Sequence, residues 1–179
     1  IIKYLSNIVM NLSLSLWLES LRTNATPDIN ECITYLSKIF PLLTCFKDTI
    51  QDKVWHAEGD VHVHTNMVLK ELYSIFDKQE FKPTNSQRRV LILSALLHDI
   101  AKPLTTKVGE DGRVRAKNHE EIGKNYLIYR LLKLNLPIDE YLDILNLVGY
   151  HQKPKLLVIK DLPIHEYLKL NSIINYELI

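Results

Sequence analysis

The chain has little glycine: five residues in 179, against an abundance of leucine and isoleucine. So few flexible points argue against a loop-rich or glycine-turned β architecture and for helices joined by short connections. No glycine-rich phosphate loop occurs, which excludes a P-loop nucleotide site in these residues. Cysteine is equally sparse. Cys32 and Cys45 have no paired-motif spacing, so a disulfide framework is excluded and both read as buried thiols in a reducing cytoplasm. Net charge is nearly absent as well: 22 basic side chains against 21 acidic ones leave +1. The domain as a whole therefore carries no polyelectrolyte signature, although a local basic patch stays open.

A clean membrane-spanning run is also lacking. Residues 1–21 are strongly apolar, but Asn7, Asn11, Ser13, Ser15 and Glu19 interrupt them, and no small-residue cleavage site follows. A core helix is expected there, in a cytoplasmic protein with no membrane partner. The sequons at Asn11 and Asn24 then carry no meaning. The length suits one domain with a sizeable core.

What is present is helical periodicity. Helices are expected over about 2–22 and 28–40, with Pro41 ending the second. Lys47 to Glu58 reads as a connecting loop. Asp60 is a suitable N-cap for a third helix reaching about Lys78. The segment Gln87 to Ala101 is apolar nearly all round, which places it in the middle of the domain. A hairpin is expected from Thr105–Val108 and Arg113–Ala116 about the turn Gly109-Glu110-Asp111-Gly112. Helices follow over about 119–134 and 137–151, and helical pattern returns from about Pro163. The expected fold is all-α with one small β-hairpin. Its expected organisation is N-terminal helices 1–55 packed on a core of 56–179.

The informative residues are polar ones inside apolar pattern. His98 and Asp99 sit side by side near the end of the most hydrophobic helix. A carboxylate buried there without a partner costs several kcal/mol, and a metal cation would satisfy it. His64 on the third helix, and His119 and His151 at helix ends, can reach a central site. Imidazoles around a shared carboxylate suit manganese, iron, cobalt, nickel or zinc. Such ions lower the pKa of bound water and polarise a phosphoryl oxygen, and two of them bridged by Asp99 would clamp a phosphate. A structural hydrogen bond between His98 and Asp99 is the plainer alternative.

Four ordered blocks decide between these readings: Glu58-Gly59-Asp60-Val61-His62-Val63-His64-Thr65, Leu96-Leu97-His98-Asp99-Ile100-Ala101-Lys102-Pro103, Asn118-His119-Glu120-Glu121-Ile122-Gly123 and His151-Gln152-Lys153-Pro154. Together they resemble the HD superfamily of metal-dependent phosphohydrolases, and in particular the HD domain of bacterial CCA-adding tRNA nucleotidyltransferases. The resemblance covers about residues 56–155, hairpin included. It implies metal ligation by His64, His98, Asp99, His119 and His151, with two divalent ions. It also implies that Lys102, one helical turn beyond His98, holds a substrate phosphate. His62 reads as a neighbour, and His56 and His165 as structural or surface residues.

Two elements depart from the pattern. The family ends on an Asp of a late helix, whereas Asp161 falls in a turn before Pro163, and the closing Asp is expected beyond Ile179. Where CCA-adding enzymes carry a nucleotidyltransferase before these blocks, residues 1–55 read as plain helices. In that respect the chain resembles the HD module of HD-Pnk RNA-repair enzymes, which removes 2',3'-cyclic phosphate and 3'-phosphate ends from RNA. A kinase or ligase domain would then follow Ile179. The resemblance implies a phosphatase or phosphodiesterase of nucleotides or RNA ends. A non-catalytic nucleotide-binding scaffold and a di-iron oxygenase are the alternatives. The basic residues Lys107, Arg113, Arg115 and Lys117 of the hairpin could steer a polynucleotide or be ordinarily solvated. Tyr126, Tyr129 and Tyr150 read as core or rim.

Overall fold

The computed structural model describes residues 12–54, 57–78 and 81–174. Helix α1 covers residues 12–20, and α2 runs Ile29–Leu36. The Asp28 carboxylate caps α2 by accepting from the Glu31 N–H at 2.8 Å. α2 stops four residues short of the expected Phe40, and a 3₁₀ helix Pro41–Asp48 follows where a plain loop was expected from Lys47. Pro41 opens that 3₁₀ segment, because a proline lacks only a donor that a first turn leaves unpaired. Phe40, Leu43 and Phe46 are thereby driven into the core.

Helix α3, Val61–Phe76, begins at Asp60 as expected: its carboxylate accepts from the Val63 N–H at 2.8 Å. Helix α4, Asn85–Leu97, starts two residues earlier than expected on a capping box of Thr84 and Gln87. It lies between α3 and α7, Ile138–Tyr150, and buries Val90, Ile92, Leu93, Leu96 and Leu97. Its interior is less uniformly apolar than expected. Arg89 is buried, donating to Glu140 at 2.7 Å and to Glu19 at 2.6 Å, so one guanidinium ties α1, α4 and α7 together.

A short helix α5, Lys102–Thr105, leads into β1, Thr106–Val108, which pairs antiparallel with β2, Val114–Ala116. Thr106 stands opposite Ala116 and Val108 opposite Val114. Helix α6, His119–Leu131, continues as a 3₁₀ turn to Leu134 and packs on α7. Gly123 on α6 faces α4's end, where an added Cβ would stand 3.3 Å from the Ile100 side chain. Next come α8, Lys153–Ile159, which the sequence pattern does not show, and α9, Ile164–Asn171. Pro154 marks the start of α8, a helix of about two turns in which Leu157 alone is buried.

Among the described residues the fold is all-α with one hairpin. Trp17, Leu18 and Leu21 of the N-terminal segment share one apolar core with Leu69, Leu93, Leu127 and Ile144. Cys32 is buried, as expected, and burial pushes its thiol up to about 12. Cys45 is only half-buried, on a 3₁₀ segment that turns Leu43 and Phe46 to the core instead. Tyr129 is exposed rather than core or rim, while Tyr126 and Tyr150 are half-buried under Arg130 and Lys124. No helix among the described residues is long and apolar enough to cross a membrane.

Candidate metal centre

Helix α4 ends at Leu97, and His98 and Asp99 occupy the turns that follow it. Tight turns close with the Ile100 N–H on Leu97 O and the Lys102 N–H on Asp99 O, so Asp99 projects its carboxylate into the domain interior, where it is 1% exposed. Four imidazoles surround it. His64 comes from the first turn of α3, His119 from the start of α6, His98 from the end of α4 and His151 from the end of α7.

Local backbone fixes which nitrogen each ring offers. His98, His119 and His151 each donate Nδ1–H to the carbonyl three residues upstream: Ala95 at 2.8 Å, Ala116 at 2.7 Å and Val148 at 2.8 Å. His64 donates its Nδ1–H to the Glu58 carboxylate at 2.7 Å. A carbonyl or carboxylate can only accept, so Nδ1 carries the proton in all four rings and each neutral ring presents a bare Nε2.

All four Nε2 atoms point at Asp99, two to each oxygen. Oδ2 faces His98 at 3.1 Å and His64 at 3.7 Å, while Oδ1 faces His119 at 3.0 Å and His151 at 3.9 Å. Within each pair the nitrogens are close: 3.4 Å for His64 and His98, 3.3 Å for His119 and His151. Acceptors converging in this way repel one another unless cations lie among them. Two nitrogens bound to one tetrahedral ion at about 2.0–2.1 Å would stand about 3.4 Å apart. The donor set therefore fits a metal on each side of the carboxylate: His64, His98 and Asp99 form one group, and Asp99, His119 and His151 the other.

For two of the four rings the titration behaviour agrees. Burial pushes His64 and His151 down, His151 to about 4, whereas at His98 the adjoining Asp99 carboxylate outweighs burial and raises the ring. Neutral imidazoles are the form a metal needs. Burial alone would raise Asp99. The His98 and His119 rings beside it and the Lys102 ammonium outweigh burial and hold the carboxyl well below the usual range.

Lys102 is buried beside the cluster. Its ammonium lies 2.8 Å from Asp99 Oδ2, and it also donates to Gln51 Oε1. Apart from this ion pair, Oδ2 accepts no hydrogen bond and keeps a lone pair for a metal. Gln51 is positioned by its backbone N–H on Gly59 O at 2.9 Å and its Nε2 on Asp60 O at 3.2 Å. Next to it, Asp52 is clamped by Arg113 through bonds of 2.6 and 2.9 Å, and this guanidinium holds its carboxyl down to about 2. The hairpin is thus stapled to residues 50–52. A cleft of about 260 Å³ opens on this side, with Gln51, Lys102, Thr106, His119, Gln152 and Lys155 in its walls.

The structure brings together all five residues singled out as metal ligands, and Lys102 with them. It does not bring in His62, which pairs with Asn30 Oδ1 at 3.1 Å on the far side of α3, or His165, which is exposed beside Glu166. His56 lies outside the described residues. Asp161 sits exposed in a left-handed turn at φ 47° and does not join the cluster. Of the hairpin cations, Arg113 and Arg115 are committed to Asp52 and Asp111, and only Lys107 and Lys117 extend as exposed lysines. Sequence reasoning missed Glu58, although it opens the first motif block; its placement six residues before His64 was the available signal. Gln51 and Asp52 had no such signal.

The HD domain family model matches residues 61–176. The chain belongs to the HD domain family. That match begins at the start of α3 and takes in all five ligand candidates. HD domains bind divalent metals and are typically metal-dependent hydrolases, and the His/Asp cluster of this HD domain could hold the metal. No curated protein and no solved structure gives a significant match to the chain.

Proposed function

We propose that this HD domain is a metal-dependent phosphohydrolase of nucleotide or RNA-end phosphoesters, with 2',3'-cyclic phosphate and 3'-phosphate ends as its substrates. The observation that carries the reading is the division of Asp99: each carboxylate oxygen faces its own histidine pair at 3.0 to 3.9 Å. A carboxylate so placed suits a bridge between two ions held by His64 and His98 on one side and His119 and His151 on the other. Manganese, nickel, cobalt, iron and zinc all accept this nitrogen-rich set. When bound, such ions supply Lewis acidity and lower the pKa of a coordinated water.

The chain's own residues do the rest. The three backbone carbonyls and Glu58 keep the rings in one tautomer and orientation, so no reorganisation is required when charge develops. Lys102 sits where the cleft meets Asp99 and supplies a positive charge to a phosphoryl oxygen, with Gln51 holding its ammonium in place. Gln152, whose Nε2 is 3.3 Å from His119 Nε2, and Lys155 line the same cleft and suit the remaining phosphate oxygens. The kinase or ligase domain expected after Ile179 would make this a module of an RNA-repair enzyme.

The test is hydrolysis of RNA oligonucleotides ending in 2',3'-cyclic phosphate or 3'-phosphate, by wild type and by Lys102→Ala, in the presence of manganese. Release of phosphate by wild type, reduced by about 10²-fold or more in the variant, supports the reading. Metal-loaded protein inert on both ends and on mononucleotides contradicts it and favours the scaffold role.

A further inference from the structure

The larger cavity beside the cluster is not the polar cleft. A groove of about 680 Å³ runs between α3, α4 and α7, with Met67, Leu72, Ile75, Leu91, Ala95 and Leu147 in its walls. One end is closed by the rings of His64, His98 and His151, so the groove starts at the candidate metal centre. Met67 and Ile75 are 49% and 41% exposed, an apolar surface that folding alone leaves unused.

Two features of the groove select what can enter it. No lysine or arginine lines it, whereas Glu58 and Glu71 do. An anionic group is therefore repelled and a neutral body admitted. Ser94 also lines the groove; it is 7% exposed and its hydroxyl has no hydrogen-bond partner. Ser94 precedes His98 by four residues and so shares its face of α4. A buried hydroxyl without a partner is costly, and a ligand with a polar edge would satisfy it. An alkyl chain would not.

The geometry points to a nucleobase subsite in this groove, with Ser94 as its directed polar contact and the substrate phosphate lying over Asp99 toward Lys102 and Lys155. The inference rests on the phosphoester reading above and adds which part of the substrate lies on which side of the cluster. The volume falls within the range of small-molecule sites, about 300–1,000 Å³. The two cavities divide the substrate by chemistry: charge goes to the cationic cleft, and the flat neutral ring goes to the groove.

Met67 lies in the groove, so a ¹³C-methyl label on methionine reports occupancy directly once its signal is assigned with Met67→Leu. Adenosine, which lacks phosphate, is titrated into the purified protein. The expected result is a saturable shift of the Met67 signal, with affinity roughly three- to tenfold weaker in Ser94→Ala. Ribose 5-phosphate leaves the signal in place. A shift by adenosine in a protein that hydrolyses no phosphoester keeps the subsite and removes the phosphohydrolase reading. Phosphate release from RNA ends without any Met67 shift does the reverse. A shift by hexyl phosphate but not adenosine assigns the groove to alkyl groups and overturns the inference, as does no shift with either compound.

Discussion

Glu58→Ala isolates the role of the side chain that orients one candidate ligand without touching the ligand itself. Glu58 accepts the His64 Nδ1–H at 2.7 Å, and both side chains are less than one-fifth exposed. The bond is charge-assisted and fixes the tautomer that turns Nε2 toward Asp99. Of the four rings only His64 depends on a side chain for this, since the others are held by backbone carbonyls that mutation cannot remove. Without the carboxylate, His64 can adopt the other tautomer or rotate, and its lone pair is lost to the site part of the time. Loss of such an outer partner costs about 10- to 100-fold in metal affinity, or about 1.4–2.7 kcal/mol. Glu58→Gln retains an acceptor for Nδ1–H without the charge, so its loss is expected at the low end. The assay is competition for manganese against a chelating dye. Only the His64–His98–Asp99 group should weaken, while the Asp99–His119–His151 group keeps its affinity. Wild-type affinity in Glu58→Ala would refute the claim that this carboxylate orients the ring.

Three other outcomes test the frame around the site. Glu140→Gln leaves the buried Arg89 guanidinium with only the half-exposed Glu19 as its charged partner, and should cost about 2–4 kcal/mol in urea denaturation; a loss below about 1 kcal/mol contradicts the assignment. Asp52 has its pKa depressed by Arg113 from 3.8 to about 2, so its pair stabilises the fold above the higher value and is lost as pH falls through the lower one. Melting temperatures of Asp52→Asn should therefore fall less steeply than wild type across that window, and identical slopes would speak against the pair. Gln51→Leu removes the second partner of the Lys102 ammonium while leaving every candidate ligand in place. Phosphohydrolase turnover should drop about tenfold or more with metal content unchanged; loss of metal instead would show that Gln51 supports the ligands and not the lysine.

The histidine-aspartate cluster was legible because each member interrupts an apolar pattern at a helix end, and the order of the blocks matches the order of the elements. Asp60 was equally legible, since an aspartate before an apolar-periodic run is a local capping signal. The start of α4 is also locally encoded: Thr84 and Gln87 have capping-box spacing, which sets the first turn two residues before Gln87. Where reading failed, the cause is non-local. Arg89 looks out of place in an apolar helix until Glu140, 51 residues on, is seen beside it. Gln51 reaches Lys102 and Asp52 reaches Arg113 across 51 and 61 residues, and no periodicity marks such pairs. Helix α8 escaped notice because Pro154 serves as readily to end a helix as to begin one, and a seven-residue element has too little pattern to decide. The hairpin lysines and arginines could be placed on the ribbon but not sorted into paired and exposed, which depends on what folds against them.

The central claim is that Asp99 is shared between two metal-binding groups, and metal content measured on loaded, desalted protein tests it most directly. Asp99→Ala should retain almost no metal, while His64→Ala and His151→Ala should each lose the metal of one group only, all three keeping wild-type helix content by circular dichroism. Asp99→Ala that holds as much metal as the wild type would contradict the account and reduce the His98–Asp99 pair to a structural hydrogen bond.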